Sequence, residues 1–285
     1  MKVAGFTFIR NAVQNDYPIV EAITSILPIC DEFVVAIGKS DDTTLELIKN
    51  IKSEKIKIVK TVWDAEPKVW GADFRNETNK ALKAISNDAD WLFYIQGDEC
   101  VHEKYLETIK KEMEICINNP KIEGLLIKYN HFYGTFQHIA VSRRWYNREI
   151  RIIKNIKGLH SYKDAQGFRI NERKINVKLI DAYVYHYGWV KPPKSFNDKR
   201  SLEDRMQINE GEFDFGNADR LINFTDSHPK VMENKIKQMD WNFEIDITKL
   251  KKHLSLRRQF LQWIEVKFGK RIFEYQNYKI VKKHD

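Results

Sequence analysis

The chain has 285 residues, 42% hydrophobic and 12% aromatic, enough for one large domain with a substantial core or one domain plus a small appendage. No apolar run approaches the ~20 residues of a membrane span, and the N-terminal segment lacks a signal-peptide cleavage pattern, so a cytoplasmic protein is expected. The net charge of +8 is lopsided: residues 251–285 hold ten Lys/Arg and three Asp/Glu, a balance of +7 that leaves +1 for the rest, which argues against a nucleic-acid-binding face.

The first hundred residues alternate in type. Residues 3–9 read as a strand. Asp16-Tyr17-Pro18 reads as a helix start, with Asp16 as the cap, and Ile19, Val20, Ile23, Ile26 and Leu27 fall on one helical stripe. Residues 33–37 read as a second strand. Asp41-Asp42-Thr43-Thr44 can cap a helix whose inner face holds Leu45, Ile48 and Ile51. Residues 55–62 give a third strand, 72–85 a third helix and 91–95 a fourth strand. This rhythm predicts a parallel sheet with helices on both faces.

After Glu99 the pattern changes. A helix over about 103–117 precedes strands near 125–129, 149–153 and 177–185, with intervening stretches rich in Tyr, Trp, Arg and His. Pro192-Pro193 breaks the chain, and the remainder reads as largely polar and helical. The expected division is residues 1–190 as a catalytic domain (1–100 nucleotide-binding, 101–190 acceptor-side) and 191–285 as a mainly helical extension packed on it. Cys30, Cys100 and Cys116 form no Cys-x-x-Cys pair, so neither a disulfide framework nor a zinc site is expected. Cys100 reads as a small buried filler.

The most informative stretch is 91–99, where a short apolar run meets Gln96-Gly97-Asp98-Glu99. Carboxylates at a strand end need water, a cation or a partner. In an open α/β sheet the crevice beyond the strand ends is where ligands bind. Gln96-Gly97-Asp98-Glu99 resembles the metal-binding Asp-x-Asp element of glycosyltransferase family 2. Thr7-Phe8-Ile9-Arg10-Asn11 is similar to that family's first strand and nucleotide-facing turn. Gly38-Lys39-Ser40-Asp41-Asp42-Thr43-Thr44 resembles its Asp-rich turn, and Trp70-Gly71-Ala72-Asp73-Phe74-Arg75-Asn76 its Gly-x-x-x-Arg-Asn element. The match covers about the first third of the chain well and the rest loosely.

The resemblance implies a GT-A fold: α/β, a Rossmann-like, mostly parallel sheet flanked by helices, then an acceptor-side region and a helical tail. It implies a sugar transferred with inversion from a nucleoside-diphosphate sugar to a glycan, lipid-linked or polysaccharide acceptor. The cofactor implied is Mn²⁺ or Mg²⁺, with Asp98 as main ligand and His186, in Tyr185-His186-Tyr187-Gly188-Trp189, as a nitrogen ligand. Arg10, Asn11, Asp41, Asp42, Arg75, Gln96, Gly97, Asp98 and Arg151 are the expected nucleotide-sugar contacts. Gln96 replaces the first acid of the Asp-x-Asp element, and Ile37-Gly38 stands where the Asp-rich turn has its first acid. Asp41 and Asp42 read equally well as helix caps.

An inverting transferase needs a general base. Asp164, in His160-Ser161-Tyr162-Lys163-Asp164-Ala165-Gln166-Gly167-Phe168, is the candidate, with Asp181 and Glu99 as rivals. Arg143, Arg144 and Arg151 could hold phosphate or an anionic acceptor. Phe260, Leu261, Trp263, Ile264 and Phe268 form an apolar helical stripe flanked by Arg257, Arg258 and Lys267. It is expected to dock on the catalytic body, with a weak peripheral contact to an anionic membrane in addition. Two other readings compete. A nucleotidyltransferase making an activated sugar usually has a Gly-rich basic loop after the first strand, where this chain has Ile9-Arg10-Asn11-Ala12. A nucleic-acid-binding protein would need a coherent basic face.

Overall fold

Val3–Ile9 (β1), Glu32–Gly38 (β2), Ile56–Thr61 (β3) and Trp91–Tyr94 (β4) lie parallel in the order β4-β1-β2-β3. They come from a computed structural model, which describes residues 1–63, 72–192, 195, 220–241, 245, 247, 255–269 and 271–281. β1, β2 and β4 are apolar on both sides, whereas the edge strand β3 exposes Lys57 and Lys60. Val3, Ile9, Phe33, Val35, Trp91 and Phe93 enter one core, and Ala4, Phe6, Val34, Ala36, Leu92 and Tyr94 the other. That period-2 split is why these stretches carry no polar face. Ile19–Ile26 (α1) and Thr44–Lys49 (α2) pack on the first core through Ile19, Ile23, Ile26 and Ile48. Ala72–Lys83 (α3) covers the second through Ala81.

Strand order reverses at β1, with β2 and β3 on one side and β4 on the other. The C-terminal ends of β1 and β4 therefore flank a topological switch point, where a crevice opens. Beyond β4 the sheet turns antiparallel. Gly124–Tyr133 (β6), Thr135–Ala140 (β7), Arg148–Lys154 (β8) and Leu221–Asn223 (β13) continue it as β4-β8-β6-β7-β13. Gly134, at φ 71, is the only residue between β6 and β7, and such a link permits nothing but an antiparallel return.

Asn176–Trp189 (β12) runs parallel to β6 and antiparallel to Glu99–Val101 (β5). Lys279–Ile280 (β14) pairs with its start. Leu159–Tyr162 (β9), Gly167–Ile170 (β10) and Arg173–Lys174 (β11) make a separate small sheet. Leu106–Cys116 (α4), Glu233–Lys237 (α5) and Leu256–Phe268 (α6) complete the described helices.

The α/β class and the helix-flanked, partly parallel sheet are as the sequence implies. The helix expected over about 103–117 is present, beginning as a 3₁₀ turn and becoming α-helical at Leu106. Two local expectations are corrected. Asp16 does not cap α1: it has φ 51 and pairs with Lys235 at 2.6 Å, while Pro18 takes the cap position. The stripe on α6 does not dock as a unit: Leu261 and Ile264 are half-buried, but Phe260, Trp263 and Phe268 stay exposed. The segment after residue 190 also contributes strands, since β13 and β14 join the main sheet. No helix among the described residues is long and apolar enough to cross a membrane.

Candidate active site

A cleft of about 990 Å³ opens at the switch point. Ile9, Arg10 and Asn11 from the end of β1 and Gln96, Gly97 and Asp98 from the end of β4 line it. His131, His186 and Trp189 enter from β6 and β12, and Asp164 and Gln166 from the β9–β10 turn.

Residues 96–99 form a tight turn in which the Glu99 amide donates to the Gln96 carbonyl at 3.1 Å. The turn sends its two acids in opposite directions. Asp98 lines the cleft. Glu99 is fully buried, and its carboxylate accepts from Arg151 Nε at 2.9 Å and Nη2 at 2.7 Å, from the Tyr129 hydroxyl at 2.8 Å and from the Gln96 amide at 3.1 Å. Arg151 also donates to the Ile150 and Gln166 carbonyls. Every strong donor around this carboxylate is used, which is the condition under which a buried ion pair is tolerable. Arg151 is therefore not a nucleotide contact. It is wholly buried beneath the turn and holds it from below. Glu99 is excluded as a base for the same reason.

Above the turn, His186 Nε2 lies 3.4 Å from Asp98 Oδ2. His186 and His131 are register neighbours across β12 and β6, and their Nδ1 atoms are 3.1 Å apart. His131 Nε2 lies 2.6 Å from the Tyr146 carbonyl. A carbonyl only accepts, so His131 carries its hydrogen on Nε2. Burial, with His186 beside it, pushes the His131 pKa well below its ordinary value, so the ring is neutral and Nδ1 is an acceptor. His186 must then donate from Nδ1. Nε2 is then the nitrogen that His186 turns towards the Asp98 carboxylate.

Gly188 completes this corner. A Cβ there would come within 2.3 Å of Asp98 Oδ2 and 2.9 Å of His186 Nε2. A 3.4 Å separation suits adjacent donors that each sit ~2.1 Å from one ion. The carboxylate oxygen suits a hard cation such as Mn²⁺ or Mg²⁺ and the imidazole nitrogen favours Mn²⁺ of the two, with most of the shell left for phosphate and water. Among the described residues no group of three or more His, Cys, Asp or Glu side chains gathers around a metal position.

Arg10 and Asn11 extend β1 into the cleft. The Arg10 guanidinium lies 5.7 Å from the Trp63 ring centroid and 3.8 Å from Asp41 Oδ2. Asn11, at φ 50, accepts from the Asp41 amide through Oδ1, and its own amide donates to the Ser40 hydroxyl. Asp41 and Asp42 do not line the cleft. Thr43 holds the N-cap position of α2, and Asp42 just before it accepts from the amides of Gln14 and Thr44, which ties the 11–15 loop to the start of the helix. These bonds hold the Asp42 carboxyl below its ordinary pKa despite partial desolvation. Arg75 sits on the first turn of α3 away from the lining, and Trp70 and Gly71 lie outside the described residues.

Sequence reasoning missed the aromatic wall. Phe8, Trp63 and Phe74 form a mutually packed trio with centroid distances of 5.6–5.9 Å, and all three line the cleft. Trp63 packs on Gly38, where a Cβ would meet its Nε1 at 2.3 Å. The glycine standing in place of the expected acid is thus the seat of an indole. The signal was present: β2 ends in a glycine while β3 leads into a lone tryptophan.

Asp164 sits in the turn between β9 and β10, flanked by Lys163 and Ala165 at φ 54 and 62. It lines the cleft, and its buried Oδ1 finds no hydrogen-bond donor among the described residues. Its rival Asp181 is 84% exposed and pairs with Lys128 at 2.7 Å, outside the cleft.

No family model and no curated protein matches this chain. Among solved structures, it is similar to S. aureus TarS 1-349 in complex with UDP-GlcNAc, at 16% identity over 71% of this chain and 65% of that one, with a TM-score of 0.42. Against another TarS structure the identity is 18%, over 71% of this chain and 39% of that one (TM-score 0.42), so the chain spans well under two thirds of that protein. It is also similar to glucosyl-3-phosphoglycerate synthase from Mycobacterium tuberculosis in complex with Mn²⁺, UDP and phosphoglyceric acid, at 19% identity over 46% and 43% of the chains (TM-score 0.31).

Proposed function

We propose that this protein is a glycosyltransferase that moves a sugar from a nucleoside-diphosphate sugar to a hydroxyl of a glycan, lipid-linked or polysaccharide acceptor. The observation that carries this reading is the corner of Asp98, His186 and Gly188, with an imidazole nitrogen and a carboxylate oxygen converging beside a position kept free of any Cβ. Asp98 and His186 would hold Mn²⁺ or Mg²⁺, which when bound supplies charge neutralisation to a departing diphosphate.

The remaining roles belong to the chain. Arg10, Trp63 and Phe74 offer a cationic and aromatic wall for the nucleoside, since a guanidinium and indole stack well on a base. Asn11 and Gly97 bring backbone close to the ligand. The buried Glu99–Arg151 pair fixes the turn that presents Asp98, so no reorganisation is needed when donor binds. Asp164 takes the proton from the acceptor hydroxyl as its oxygen attacks the anomeric carbon. The bond from that carbon to the diphosphate oxygen breaks, and one displacement inverts the centre.

The test is thermal unfolding with a panel of nucleoside diphosphates, each with and without Mn²⁺. A nucleotide that binds the folded state at a hundred times its Kd adds about 2.7 kcal/mol. The gain should need metal and vanish in Asp98→Asn. A metal-independent gain that survives this substitution would remove Asp98 from the role.

A further inference from the structure

A second chamber, of about 510 Å³, lies against the cleft and shares Arg144, Trp145, Tyr146 and Gln166 with it. Five arginines line it: Arg143, Arg144, Arg257, Arg258 and Arg271. Two of them are structural. Arg143 pairs with Glu265 at 3.0 Å and donates to the Ile272 carbonyl. Arg271 pairs with Glu265 at 3.3 Å and Glu274 at 3.1 Å, and donates to the Ser142 carbonyl. Their side chains are 8% and 5% exposed. Together they staple the dividing wall, residues 142–146, to the C-terminal segment.

The two carboxylates thus balance the two buried guanidinia. Arg257 and Arg258 are different: they are exposed, line the chamber, and pair with no carboxylate among the described residues. They also occupy the first turn of α6, which holds no acid. Cations there oppose the helix dipole, so the sequence gives up helix stability to place them. Phe273 and Tyr275 line the same chamber.

We infer that this chamber is the acceptor's anchoring site, and that the acceptor carries phosphate. The inference rests on the transferase reading of the neighbouring cleft. Guanidinium groups recognise phosphate by paired, charge-assisted hydrogen bonds, and exposed rings beside them suit the carbon face of a polyol or sugar. The geometry connects anchor to chemistry. Gln166 lines both cavities, and Asp164, two residues earlier in the same turn, is within ~7 Å of backbone. A ligand held at Arg257 and Arg258 reaches past the wall with a hydroxyl towards Asp164.

The experiment is calorimetric titration of the whole protein with glycerol 3-phosphate, with glycerol as the uncharged control. It is run on the unmodified protein and on the double variant Arg257→Ala/Arg258→Ala, both substitutions being on exposed side chains. Glycerol 3-phosphate should bind the unmodified protein at least tenfold more tightly than the variant, and glycerol should not bind. In a parallel arm, binding of UDP with Mn²⁺ should be the same within twofold in both proteins. A third arm uses phosphatidylglycerol vesicles, because a lipid headgroup offers the same phosphate. Equal affinity of the two proteins for glycerol 3-phosphate, no binding of it, or binding to vesicles alone would each overturn the proposal. If UDP fails to bind while the phosphate ester binds through the arginines, the anion chamber stands and the transferase reading falls.

Discussion

His131 and His186, 55 residues apart in sequence, face each other Nδ1 to Nδ1 at 3.1 Å, and the Tyr146 carbonyl at the far side of His131 makes His186 the donor between the two rings. His131 is a positioning residue: it orients the ring that faces Asp98 and never reaches that carboxylate itself. Partners of this kind typically contribute 10–100-fold to metal affinity. His131→Phe, which keeps a flat ring in the same volume, should weaken Mn²⁺ binding by about that factor, and leaving the Tyr146 carbonyl unpaired should cost ~1–3 kcal/mol of stability. Mn²⁺ titration and denaturant unfolding read the two effects separately. Unchanged metal affinity would break the link between the histidines and the cation.

Gly188 yields a sharper steric test. An added methyl would lie 2.3 Å from Asp98 Oδ2, inside any permitted contact. Gly188→Ala should abolish the metal-linked part of the nucleotide thermal shift while the protein still folds. Retention of that shift would show that the cation does not sit in this corner.

Asp164→Asn should cut turnover ~10²–10⁴-fold, the usual contribution of a positioned base, and leave donor binding within twofold. Steady-state transfer assays and nucleotide titration separate these two outcomes. Normal turnover would move the proton to another group.

Glu149 governs a pH dependence of stability. It is buried, and desolvation lifts its carboxyl from the ordinary 4.5 to about 8. Between those values the folded protein holds a proton that the unfolded chain has released. Its contribution to stability is complete below pH 4.5 and is lost as the pH rises towards 8. The melting temperature should therefore fall as the pH rises through this window, and Glu149→Gln, which cannot ionise, should flatten the fall. Thermal melts of both proteins from about pH 5 to 9 measure it, and parallel curves would refute the assignment.

Much of the fold was legible because the β1, β2 and β4 stretches are apolar on both sides, a pattern only a helix-covered sheet requires. The site was legible in outline because Asp98 succeeds such a strand through a glycine. The hidden part depends on facing, which sequence does not state. Asp98 and Glu99 are neighbours with the same chemistry, yet one meets the cleft and the other the core. The clue was Arg151 between Ile150 and Ile152: a guanidinium in an apolar strand demands a buried carboxylate. Asp41 and Asp42 were ambiguous because a cap and a ligand contact use the same side-chain oxygens; the structure puts Thr43 at the cap and spends Asp42 on the amides of Gln14 and Thr44. His131 offered no local signal, since its meaning comes from the β6–β12 register.

Neither Glu99 nor Arg151 can be exchanged singly without stranding a naked charge in the interior, a penalty of ~3–5 kcal/mol. The support under the metal corner is thereby frozen against drift. Substitutions at Arg10, Trp63 and Phe74 strand no buried charge, because these side chains line the cleft and take part in no buried ion pair. On the proposed reading, nucleoside preference can therefore be altered at these side chains while the anchor beneath stays constant.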